Sequence, residues 1–146
     1  MSTITETMSA DHRRCDSLFT EAEALISKAD WARGQTGFSA FQMAVERHLS
    51  MEEEVLFPAL ESRAGQKMGP VQVMRMEHAQ IRQLLSDMQQ SILRQDKQRY
   101  LGLSETLLII MQQHNMKEEN MLYPMADNAL GDQTVTLQRL EQWNTD

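Results

Sequence analysis

The chain has 146 residues, 41% of them hydrophobic, and a formal net charge of −7, which is enough for one domain with a real core and too short for two ordinary ones. The acidic balance argues against a nucleic-acid surface, which needs a basic patch, and no stretch approaches the ~20 apolar residues of a membrane-spanning helix. Three prolines and six glycines among many Leu, Ala, Glu, Gln, Met and Arg residues favour helix.

The first eleven residues carry Glu6 and Asp11 and no apolar run, so they read as neither signal peptide nor membrane anchor. In the first predicted helix, Met8, His12, Cys15, Phe19, Ala22 and Ile26 share one face. Cys15 is the one cysteine, which rules out an intrachain disulfide and points to a reducing cytoplasm. It reads as a small buried apolar residue. Asp30 is a candidate N-cap for the second helix, whose inward stripe is Phe41, Val45, His48, Glu52, Val55 and Ala59. Pro58 predicts a kink or a last turn there, and Gly65 a helix stop.

Gly69-Pro70 opens the third helix, with Pro70 suited to its first turn. Val71, Met74, His78, Ile81, Leu85 and Ile92 form its stripe. Asp96 is the next candidate N-cap. The fourth helix aligns Leu107, Met111, His114, Glu118, Met121 and Met125, followed by Pro124 and by Gly131 as a stop. Residues 132–146, with Leu137, Leu140 and Trp143, read as a short terminal helix packing on the bundle. The expected fold is therefore all-α: one domain spanning residues 1–146, with an antiparallel up-down-up-down four-helix bundle over about residues 3–129. The twelve methionines are expected to fill core gaps.

A repeat organises these helices. His48-Leu-Ser-Met-Glu52-Glu-Glu-Val-Leu-Phe57-Pro58 matches His114-Asn-Met-Lys-Glu118-Glu-Asn-Met-Leu-Tyr123-Pro124, both spelling H-x-x-x-E-E-x-x-L-[FY]-P at an offset of 66 residues. The same offset joins Asp11-His12 to Glu77-His78, Asp30 to Asp96 and Gly65 to Gly131.

All four histidines lie on the inward stripes, where each needs a hydrogen bond or a metal. In His48/Glu52 and His114/Glu118 the i, i+4 spacing puts both side chains on one face, roughly 6 Å apart along the axis. An imidazole nitrogen and a carboxylate oxygen then converge on one ion, and the second oxygen is free to bridge to another. Two facing half-sites would hold two metals ~3.5–4 Å apart. Imidazole and carboxylate suit iron, manganese or zinc. The ferritin-like Glu-x-x-His pattern is absent, since Ser9, Val45, Arg75 and Met111 stand three residues before the histidines. Glu53, Glu54, Glu119 and Arg82 are expected to face solvent, and Tyr123 to pack near the bundle end, with a hydrogen bond to the site as the alternative.

Asp11-His12, His48-x-x-x-Glu52-Glu53, Glu77-His78 and His114-x-x-x-Glu118-Glu119 together resemble the bacterial hemerythrin-like, or HHE cation-binding, domains over about residues 8–126. The resemblance implies a four-helix bundle with two iron ions (Fe2+/Fe3+) bridged by two carboxylates and an oxygen. It implies metal ligation by His12 and His48 on one iron and by His78 and His114 on the other, with Glu52 and Glu118 bridging. The chain departs from the oxygen carriers of that family in having Met74 and Arg82 where they place a fifth histidine beside His78, and in ending on H-x-x-x-E.

The expected function is thus binding or sensing of dioxygen, nitric oxide or iron, without an assigned catalytic residue. A di-iron enzyme acting on peroxide or nitric oxide, or donating iron for iron–sulfur repair, is the alternative. A metal serving only to tie the helices together is the third reading. Nothing in the sequence bears on the oligomeric state.

Overall fold

The computed structural model describes residues 3–130 and 134–144, and every element in them is helical. In chain order these are α1 (Ile4–Ser27), α2 (Trp31–Met51), α3 (Phe57–Ala64), α4 (Gly69–Leu93), α5 (Lys97–Lys117), α6 (Tyr123–Ala129) and α7 (Thr134–Asn144). A π-helical turn, Glu52–Leu56, joins α2 to α3, and a second, Glu118–Leu122, joins α5 to α6. The molecule is a bundle of four long rods, α1, α2–α3, α4 and α5–α6, with α7 laid against the first π turn and α2. No helix among the described residues is long and apolar enough to cross a membrane.

The ends of the rods follow the predicted chemistry. Asp30 and Asp96 accept hydrogen bonds from the backbone N–H groups of Arg33 and Arg99, as N-caps do. Ala29 and Gln95, the residues before them, both have positive φ, 57° and 52°, so the repeat reaches into the turns. Gly65 closes α3 at φ 74°, a conformation that a Cβ disfavours. Pro70 sits in the first turn of α4. Gly131 lies outside the described residues.

The inward stripes of α1 and α4 are buried as predicted. On the other two rods the prolines end nothing. Each follows a π turn and begins a further helix. A π turn inserts one extra residue, so the buried face is rotated beyond it. Leu56, Phe57 and Leu60 are buried where a regular helix would bury Ala59, and Leu122 and Tyr123 are buried while Met121 is 66% exposed. Proline offers no N–H to the carbonyl four residues earlier, and Glu54 and Asn120, which carry those carbonyls, stand at exposed positions. A weakened backbone bond costs about 0.5–1.5 kcal/mol, whereas burying one Leu or Phe contributes about 1.5–3 kcal/mol, so packing wins.

Two apolar clusters result. One holds Phe19, Phe38, Phe41, Ile81, Leu85, Tyr100 and Leu107, the other Ile4, Met8, Met51, Phe57, Met74, Leu122 and Leu140. Along each rod the histidine lies between members of the two, so the polar centre is a layer within the core. Leu137 and Trp143 pack on the second cluster, as expected of the terminal helix. Gly34 lets α2 approach α1, because a Cβ there would run into the Ile26 side chain. The methionines are not all core filler. Met8, Met51, Met74 and Met88 are buried, but Met43, Met76, Met116 and Met121 are exposed.

Candidate metal centre

The structure brings all six predicted residues into one buried layer. Glu52, His78 and Glu118 are fully buried, and His12, His48 and His114 nearly so. His12 comes from α1, His48 from α2, His78 from α4 and His114 from α5, and the two glutamates open the two π turns. The donor atoms form two groups, each within 4.8 Å of one another: His12, His48 and Glu118 in one, and Glu52, His78, His114 and Glu118 in the other.

Glu118 belongs to both groups, and Glu52 belongs to one and reaches His48 of the other. Glu118 places Oε1 3.0 Å from His12 Nε2 and Oε2 3.3 Å from His114 Nε2. Glu52 places Oε1 2.9 Å from His78 Nε2 and Oε2 3.5 Å from His48 Nε2. Four of these atoms, Glu52 Oε1, His78 Nε2, His114 Nε2 and Glu118 Oε2, are fully buried and have no hydrogen-bond partner. They are close but misaligned for bonding to one another. Buried polar atoms left in this way normally cost about 1–3 kcal/mol each, and four together, converging on one region, fit a bound cation that accepts their lone pairs.

Behind every imidazole stands a second carboxylate. Nδ1 of His12, His48, His78 and His114 lies 2.7 Å from Glu119, Asp11, Glu53 and Glu77 respectively. A carboxylate accepts, so Nδ1–H donates and Nε2 is turned inward, the nitrogen on which a cation would take the place of a proton. Glu53 and Glu119 therefore do not simply face solvent as expected; Glu54 does. Nor is Arg82 a solvated charge. Its guanidinium holds Glu53 at 2.8 and 2.9 Å and Glu46 at 3.0 Å. Arg14 similarly grips Asp11, and Lys117 grips Glu77. At the repeat position of Arg82 the chain has Asp16, beside Glu119 in a polar groove between α1 and α5.

These contacts set the charge states. Burial alone would push Asp11 up, but hydrogen bonds from His48 and Arg14 outweigh it and hold the carboxyl below its usual range. Glu53 and Glu77 follow the same balance, with Arg82 and Lys117 as the leading counterweights to burial. Burial opposes the protonated form of His114, yet Glu118, Glu52 and Glu77 raise it to about 9. Glu118 would be raised by burial, but its hydrogen bonding to Glu52, His114, His12 and His48 holds it well below the ordinary carboxylate value. Burial pushes the Cys15 thiol up to about 11, and the side chain packs in the first apolar cluster, the buried position expected of it.

Tyr123 takes the alternative place, hydrogen-bonded to the site rather than packed near the bundle end. Its hydroxyl donates to Glu52 Oε2 at 2.6 Å and lies 2.9 Å from Glu118 Oε1, 3.1 Å from His48 Nε2 and 3.2 Å from His12 Nε2. Burial and the charges of Glu118 and Glu52 raise its pKa well above the ordinary phenol value. The π turn explains the position, for the Tyr123 N–H bonds to the Glu118 carbonyl five residues back. In the other repeat Phe57 takes this place and stacks on His78, with ring centroids 5.6 Å apart and planes at 23°.

A family model described as the hemerythrin HHE cation binding domain matches residues 3–126. No curated protein and no solved structure matches the chain.

Proposed function

The chain belongs to the hemerythrin HHE cation-binding domain family, and from that premise we propose that it is a non-haem di-iron protein that binds or senses dioxygen, nitric oxide or iron. The observation that carries this reading is the pair of fully buried glutamates, each with one oxygen toward either pair of histidines. His12 and His48 would hold one ion, His78 and His114 the other, with Glu52 and Glu118 shared between them. When bound, the iron pair supplies reversible one-electron chemistry and an exchangeable coordination position.

The protein's own part is orientation and seclusion. The four outer carboxylates fix each imidazole with Nε2 inward, and the two apolar clusters keep bulk water from the layer. Donors so arranged need little reorganisation when a cation enters. The ligand set of four histidines and two glutamates, with Met74 and Arg82 beside His78, is not that of the oxygen carriers.

The test is to load the protein with ferrous iron under anaerobic conditions and add nitric oxide or dioxygen. A stable, saturable change in the visible spectrum, abolished by His114→Ala, is the expected result. No change with either gas would overturn dioxygen and nitric oxide as the ligands and leave iron itself. Repeated turnover of peroxide or nitric oxide beyond that of free iron would replace the binding reading with the enzymatic one.

A further inference from the structure

Phe57 and Tyr123 occupy the same position in the two repeats and are both fully buried, yet only one carries a donor atom. We propose that Tyr123 Oη is a protein ligand to the ion held by His12 and His48, which makes the two ions of the pair chemically different. The proposal rests on the metal reading above and deepens it.

Geometry carries the argument. Donors about 2.1 Å from a first-row cation are separated by about 3.0 Å along an octahedral edge and about 3.4 Å along a tetrahedral one. Tyr123 Oη lies 2.6, 2.9, 3.1 and 3.2 Å from Glu52 Oε2, Glu118 Oε1, His48 Nε2 and His12 Nε2. An oxygen within 3.2 Å of four candidate ligand atoms at once stands where a further donor to the same ion would stand, and the 2.6 Å contact with Glu52 is the hydrogen bond that ligation would replace.

The other half differs in kind. Its four donors, Glu52 Oε1, His78 Nε2, His114 Nε2 and Glu118 Oε2, lack hydrogen-bond partners, and Phe57 offers only a ring face. The ion beside His12 and His48 would thus have five protein donors and its neighbour four, so the exchangeable position falls on the His78/His114 side. Ligation breaks the phenol O–H bond. The proton leaves to solvent and the electron pair stays on oxygen, with no oxidant required. The resulting phenolate is a hard, anionic oxygen donor, of the class that favours the ferric state.

The test is spectroscopic. The protein is loaded with ferrous iron, oxidised with ferricyanide and examined by visible absorption and resonance Raman scattering alongside Tyr123→Phe and Tyr100→Phe. Expected are a phenolate-to-iron charge-transfer band with enhanced tyrosinate ring modes in the wild type and in Tyr100→Phe, and loss of both in Tyr123→Phe with its iron retained. Because the chain has two tyrosines, Tyr100→Phe assigns the band even if Tyr123→Phe fails to fold. Two bound ferric ions without tyrosinate modes, or modes lost in Tyr100→Phe, would overturn the proposal alone. A wild type that takes up no iron would overturn the metal reading with it.

Discussion

Each inward imidazole is gripped from behind, and that grip gives the outer carboxylates a measurable role. Losing such a partner typically lowers metal affinity about 10–100-fold. Glu53→Ala, which frees His78 Nδ1, is expected to show that loss in a competition titration against a chromophoric chelator. Glu54→Ala, altering the exposed neighbour, is expected to show none. Equal effects would mean that Glu53 acts only as surface charge. The inner residues were legible because histidines on apolar stripes need a reason to be there. The outer carboxylates recur at the shared offset too, Asp11 with Glu77 and Glu53 with Glu119, but spacing alone turned Glu53 and Glu119 outward. Tyr123 was legible only as an alternative, since its place depends on a backbone irregularity that regular periodicity does not anticipate.

The elements separate fold from site. Asp30 and Asp96 cap their helices 18 residues before His48 and His114, about 27 Å of helix axis. Asp30→Ala and Asp96→Ala should each lower stability by about 1 kcal/mol in denaturant unfolding, with metal content unchanged. Loss of metal in either variant would show that the helices do not transmit local fraying as separate units. The caps, the Gly65 stop and the stripes of α1 and α4 could be read from sequence because each obeys a local rule. The stripes beyond Glu52 and Glu118 could not. There the rotation of the helix face is set by tertiary packing of Leu56, Phe57, Leu122 and Tyr123, and Pro58 and Pro124 mark the place without revealing the extra residue.

At the scale of the molecule, a charged layer is suspended between two apolar clusters, and a chain bearing it must neutralise what it buries. Four orphaned donor atoms and two fully buried glutamates make a bound cation part of the folding balance rather than an addition to it. Under the proposed reading, two histidine pairs sharing two carboxylates would hold two ions at bridging distance, ~3.5–4 Å. The most direct test is iron stoichiometry with Mössbauer spectroscopy on protein loaded anaerobically and then oxidised. The expected result is two irons per chain, magnetically coupled, with the coupled pair lost in Glu118→Ala. One iron per chain, or two that behave independently, would contradict the shared-carboxylate centre.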